Sequence, residues 1–256
     1  MSEASSSVKD TAEVTELHTR LQRLALGVEE SRAYWTNVDP EVPFARRALV
    51  AFERRWFGAK SLERVRTILA DLTVRYDAVP PALAVLRRWR GMDPATRRSI
   101  CHWHLQLADP LYRRFAGHFL VERREGPRPT LDRPVVLRWV KDQNPHRWGA
   151  ATCVQFASKL LSAAKEAGLV TPRDPRTILV PKVTDLALGY WLHFLRHVEI
   201  EGTLLENPYF ASVGLSGTFL HERLRGLRGV RWHRMGDLDD VEWSSPTLTA
   251  WAEATL

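Results

Sequence analysis

Nothing before residue 125 alternates with the two-residue period of a strand, while its apolar residues recur at three- and four-residue steps, so the first half of the chain can bury its apolar surface only as helices. Leu17, Leu21, Leu24 and Val28 mark one such stripe. Phe44, Ala48, Phe52 and Trp56 mark a second, and Leu62, Val65, Leu69 and Leu72 a third that opens at Ser61. Asp93-Pro94 and Asp109-Pro110 each put a carboxylate at the cap and a proline at the first helical position, which predicts helices over 94–108 and 110–122. Residues 1–12 are expected to be a disordered lead-in, and 13–125 an N-terminal helical bundle.

At 123-RREGPRPTLDR-133 the composition turns to Gly, Pro and charge, which reads as a linker or exposed loop before a C-terminal region, 133–256. A short helix over 133–141, closed by Asn144-Pro145, precedes a long helix over 148–168 and a strand over Ile178–Val180. Short helix, turn, long helix and extended hairpin make 133–183 a winged helix-turn-helix unit. The remainder, 184–256, repeats the order of helix then strands. Asp185 to His197 is helical, Ser216 can cap a helix over 217–227, and 230-VRWHRMGDLDDVEW-243 reads as two strands around a Gly-Asp turn. The expected fold class is mainly α: a helical bundle with winged helix-turn-helix units and short β-hairpins in the second half.

Charge narrows the function. The net charge is +7, unevenly spread: residues 31–235 hold 34 bases against 19 acids, and residues 236–256 hold five acids and no base. Most of the bases are arginine, suited to bidentate contact with phosphate, so a basic body of this kind points to nucleic acid or another polyanion. Arginine-rich solvated helix faces give the same composition without a ligand. The apolar runs are too short and interrupted to cross a bilayer, and the N-terminus carries no apolar leader or lipidation motif, so a cytoplasmic protein with no membrane partner is expected. Cys101 and Cys153 read as reduced core thiols.

The long helix carries two patterns. Cys153, Ala157, Leu160, Leu161, Ala164 and Ala167 form a buried stripe; Thr152, Gln155, Lys159 and Ser162 form a polar one; Gly168 stops the helix. Gln155 can pair with an adenine edge and Thr152 with a base or a phosphate. Arg147, Lys159, Arg173, Arg176 and Lys182 flank them as phosphate contacts. A scaffold or protein-docking role for the same unit stays open. A second basic stretch, 223-RLRGLRGVRWHR-234, brings Arg225, Arg228, Arg231 and Arg234 around Trp232. The arginines suit phosphate, and the tryptophan suits the core, with Asp237, Asp239, Asp240 and Glu242 partly neutralising the patch.

Catalytic and metal patterns are missing. His102 with His104, and His193 with His197, could each offer two ligands, but neither pair has the carboxylates or thiolates of a zinc set. Asn207-Pro208-Tyr209-Phe210 is similar to the Asn-Pro-Pro-Tyr box of amino-methyltransferases but lacks its second proline, and is expected to be a helix-breaking turn. The sequence has no phosphate loop and no nucleophile elbow. No metal, no cofactor and no enzymatic activity are expected.

From the third helix on, the chain resembles the BrxA family, small accessory proteins of BREX bacteriophage-exclusion systems. The likeness rests on 148-WGAATCVQFASKLLSAAKEAGLV-170, 111-LYRRFAGHFLVER-123, 189-GYWLHFLRHVEIEGTLLENPYFASVGL-215 and 224-LRGLRGVRWHRMGDLDDVEW-243, in that family's order along the chain. The resemblance implies a mostly helical protein with winged-helix character, a likeness to the RNA antitermination factor NusB, and binding to double-stranded DNA. It also implies work beside a methyltransferase, an ATPase and a phosphatase-like protein. The expectation is therefore a non-enzymatic DNA-binding accessory protein of phage defence. An RNA-binding NusB-like module, or an assembly subunit docking on acidic partners, are the alternatives.

Overall fold

The computed structural model of the chain describes residues 11–144, 147–235 and 238–256. The fold is mainly helical. The N-terminal bundle comprises α1 (Val28–Asn37), α2 (Phe44–Glu53), α3 (Leu62–Tyr76), α4 (Pro80–Arg88) and α5 (Pro94–Ala108). The caps read in the sequence are made: Ser61 Oγ accepts from Arg64 N at 3.3 Å, and Asp93 Oδ1 from Ala95 N at 2.9 Å. After Asp109, which accepts from Tyr112 N at 2.9 Å, α6 (Pro110–Arg114) runs through a π-helical turn, Phe115–Phe119, into α7 (Leu120–Glu125).

Two expectations for the N-terminus are corrected. Of the expected helical stripe, residues 17–27 are not a helix but a loop with one 3-10 turn, Arg20–Gln22, and only Val28 is helical, as the first residue of α1. Leu21, Leu24 and Leu26 are buried all the same, because the Arg75 guanidinium donates to the carbonyls of Leu24, Ala25 and Leu26 at 2.7–2.9 Å and so satisfies a backbone that has no helix of its own. The lead-in expected over 1–12 ends earlier: Thr11–Ala12 is a strand, β1, paired in parallel with β4 (Val198–Glu199). Residues 1–10 lie outside the described residues.

The second half opens with β2 (Thr130–Leu131), then α8 (Arg133–Gln143), α9 (Ala150–Ala167) and β3 (Arg176–Thr177). β3 pairs antiparallel with β2, and Ile178 bridges Val170 just after α9. Strand, helix, turn, helix, single-residue bridge, loop and strand follow the order expected of a winged helix-turn-helix. The strand expected over Ile178–Val180 is corrected: β3 is Arg176–Thr177, set by pairing with Thr130–Leu131, Ile178 makes only a single bridge, and Leu179 and Val180 lie in no strand. Of the expected Asn144-Pro145 stop, Pro145 lies outside the described residues.

Beyond it come α10 (Asp185–Leu195), α11 (Pro208–Ser212), α12 (Gly217–Arg225), the antiparallel hairpin β5 (Val230–Met235) and β6 (Leu238–Trp243), and α13 (Leu248–Thr255). The expected Gly-Asp turn falls at 236–237, outside the described residues. Asn207-Pro208 starts a helix rather than breaking one: Asn207 Oδ1 caps α11 by accepting from Phe210 N at 3.1 Å. Ser216 precedes α12 but makes no side-chain cap.

Every residue of α10 from Ala187 to Leu195 is buried, as an all-round apolar helix requires. It packs on α5 and α13, with Trp191 stacked on Trp103 at 5.4 Å. The core is continuous from Leu21 to Ala252. The division near residues 126–132 is thus one of sequence and not of packing. No helix among the described residues is long and apolar enough to cross a membrane.

Candidate nucleic-acid interface

α9 is eighteen residues without Pro or Gly, rich in alanine, and closed by Gly168 in the left-handed region at φ +76. Cys153, Phe156, Ala157, Leu160, Leu161, Ala163, Ala164 and Ala167 are buried. The outer face divides into two lines. Ala151, Gln155, Ser158, Ser162 and Lys165 are exposed. Thr152, Lys159 and Glu166, each seven residues apart and therefore on one face, are half-buried.

That second line meets the chain's own N-terminal segment. Gln22 Nε2 donates to the Thr152 carbonyl at 3.4 Å, and Gly27 N donates to Glu166 Oε2 at 2.9 Å. The polar stripe read from sequence is therefore divided by burial in the fold. Gln155 and Ser162 face solvent, whereas Lys159 is half-buried and Thr152 meets the loop that carries Arg20–Gln22 through its carbonyl. Helical spacing identifies a polar face but cannot say which part of it another segment, 130 residues away in sequence, will cover.

The N-terminus of α9 is capped by Gly149 with no side-chain acceptor, and its first turn holds no acid. Among the described residues no side chain caps its leading backbone N–H groups, an arrangement that suits phosphate. Arg147, exposed, stands two residues before that cap. The loop between Val170 and β3 stands where the expected unit would carry its wing. Arg173 is exposed on it. Arg176 is half-buried and ion-paired with Asp174, so its charge is partly spent within the loop. Lys182, after β3, is exposed.

The other basic group sits on α12 and the hairpin. Arg225, Arg228, Arg231 and Arg234 are all exposed. In the register of β5 and β6, Arg231 lies opposite Glu242, His233 opposite Asp240 and Arg234 opposite Asp239, so each basic residue of the strand faces an acid. Trp232 is half-buried and braced rather than free. Its ring stacks on His221 at 4.3 Å, its Nε1 donates to Asp239 at 2.9 Å, and the Arg225 guanidinium lies 5.3 Å from its ring centre. The eleven basic and polar positions singled out in the sequence thus fall on two units: seven on the α9 unit and four around the hairpin.

Three of the four paired histidines, His102, His104 and His193, are buried in the core, and His197 is half-buried. His102 bonds Tyr112 Oη at 2.9 Å and Ser212 Oγ at 2.8 Å, tying α5 to α6 and α11. His104 bonds the Arg75 carbonyl at 3.2 Å and Tyr190 Oη at 2.8 Å. Burial lowers both to about 3. His193 bonds the Gly189 carbonyl at 2.8 Å, and burial lowers it to about 4. Among the described residues, no three His, Cys, Asp or Glu side chains are grouped to hold a metal ion. Cys101 and Cys153 are buried and unpaired.

No family model matches the sequence, and no curated protein matches it. The crystal structure of an uncharacterized protein from Magnetospirillum magneticum is similar in fold, with a TM-score of 0.54 at 14% identity, over 69% of this chain and 92% of that one. Likeness at that identity concerns the fold alone.

Proposed function

We propose that this chain is a non-enzymatic protein that binds double-stranded DNA, and that it serves a BREX-type phage-exclusion system as the sequence resemblance to the BrxA family implies. Its partners would then include a methyltransferase, an ATPase and a phosphatase-like protein. The observation that carries the DNA reading is the α9 unit. Its strand–helix–turn–helix–wing order presents a solvent-facing line of Gln155, Ser158, Ser162 and Lys165, an uncapped N-terminus beside Arg147, and Arg173 on the wing. That set combines an amide able to read an adenine edge with charges able to fix the backbone.

The test is a titration of the purified protein against duplex DNA, duplex RNA and single-stranded RNA of equal length. Duplex DNA should bind tightest. Its affinity should fall steeply between about 50 and 200 mM salt as counterion release loses its advantage. Tighter binding to RNA would replace this reading with the NusB-like alternative. Absence of salt-sensitive binding to any nucleic acid would leave the basic surface for an acidic partner protein.

A further inference from the structure

α12 repeats, at the other unit, the position that α9 holds in the first. α10, β4, α11, α12, β5 and β6 follow one another as helix, strand, helix, turn, helix and two-stranded wing. The strand that would complete a three-stranded wing sheet, β4, pairs instead with β1, so the second unit keeps the helix-turn-helix and the hairpin without the sheet. Leu220 and Leu224 bury the inner face of α12. Arg223 ties it to the start of α10 through the Val183 carbonyl at 3.0 Å and Asp185 at 2.6 Å. His221, stacked under Trp232, locks it to the hairpin. The helix is held from three sides, and its outer face is left open.

That outer face carries an aromatic ring. Phe219, in the first turn of α12, is 71% exposed, more than any other large apolar residue among those described. Burying such a ring is favourable, and nothing among the described residues covers it. Thr218, Glu222 and Arg225 are exposed on the same stretch, and Arg228 follows just beyond. A short hydroxyl, an aromatic ring and a carboxylate on the leading turns of a rigid helix, with arginines behind them, match the major groove of DNA. An apolar side chain meets the thymine methyl, a carboxylate accepts from the cytosine amine, and the guanidinium groups take the flanking phosphates.

We propose that α12 is a second groove-entering helix of this protein, and that Phe219 is a specificity-determining contact to the C5-methyl group of thymine. The inference rests on the duplex-binding reading above and adds to it a second contact with base preference.

The test is a double-mutant cycle across the interface. Wild-type protein and Phe219→Ala are each titrated against duplexes of one mixed sequence, made either with thymine or with uracil at every thymine position, so that only the methyl groups differ. The probe duplex spans at least two helical turns and holds several A·T steps. Phe219→Ala should melt as wild type does, because an exposed side chain contributes little to folding. Wild type should bind the uracil duplex several-fold more weakly, and Phe219→Ala should bind both duplexes alike, about tenfold below wild type on thymine DNA. The slope of log affinity against log salt should be the same for the two proteins, since no charge is removed, whereas Arg225→Ala should lower it by about one. Equal binding of thymine and uracil duplexes by wild type would overturn the proposal while leaving duplex binding intact, as would a variant that keeps the wild-type preference. Failure of wild type to bind any duplex would instead remove the reading on which it rests.

Discussion

Gly27 donates its backbone N–H to the Glu166 carboxylate at 2.9 Å, joining residues 139 apart in sequence. Gly27 is the cap residue of α1, held at φ +66, where a Cβ would lie 2.9 Å from Leu24 Cδ1. Only glycine enters that conformation without strain. The bond therefore fixes the N-terminal loop against the outer side of α9 and decides how much of that helix stays open. Glu166→Ala should destabilise the protein by about 1–3 kcal/mol, the cost of a buried N–H left without a partner. Urea unfolding of the variant checks this, and a midpoint equal to wild type would show the loop to be held by other contacts.

Gln155 and Leu160 are near neighbours on α9 and face opposite ways, one exposed and one fully buried. Gln155→Glu should weaken duplex DNA binding and leave the melting temperature nearly unchanged, because the new charge meets phosphate only in the complex. Leu160→Ala should cost about 2–5 kcal/mol through a core cavity. Melting curves beside binding titrations separate the two effects. A Gln155→Glu variant that binds as wild type does would make α9 a scaffold.

Acid should unfold the protein through its core histidines. His102 and His104 titrate near 3 in the fold, against an ordinary value of 6.5. Between those limits the unfolded chain takes up protons that the folded chain refuses. Their contribution is thus complete above pH 6.5 and is lost as the pH falls toward 3, on the order of 1 kcal/mol per pH unit for each residue. Urea midpoints measured from pH 7 to pH 4 should show this slope, and His102→Gln should flatten it by about one proton. An unchanged slope in that variant would assign the acid sensitivity elsewhere.

Asp71 works in the opposite sense. It lines a cavity of about 10 Å³ with Asp109, His18, Arg20 and Arg75, and its Oδ2 has no hydrogen-bond partner among the described residues. Burial raises it from 3.8 to about 6, against the pull of Arg75. The folded form therefore holds a proton that the unfolded chain releases, and stability present below pH 3.8 is lost as the pH rises through 6. Asp71→Asn should stabilise the protein by about 1–3 kcal/mol at pH 7, and the gain should disappear by about pH 4. Thermal melts at both pH values decide it; destabilisation at pH 7 would mean that the ionised carboxylate holds Arg75 in place.

The sequence by itself determined the elements that local chemistry specifies. Asp93-Pro94 and Asp109-Pro110 start helices because a carboxylate cap and a proline act within four residues, and α5 ends at Ala108 as its spacing foretells. The long helix up to Gly168 and the hairpin of Val230–Met235 with Leu238–Trp243 were legible for the same reason. The tertiary structure alone decided what those elements meet. The stripe of Leu17, Leu21 and Leu24 has helical spacing yet folds as a loop, where the Arg75 guanidinium, some fifty residues on, satisfies the carbonyls of Leu24, Ala25 and Leu26. Thr152 and Lys159 have the composition of a reading face yet are half-buried, whereas Phe219 has the composition of a core residue yet stands in solvent. Periodicity records which side chains share a face of one helix; which faces are covered depends on contacts between segments far apart in the chain, and no local pattern carries that information.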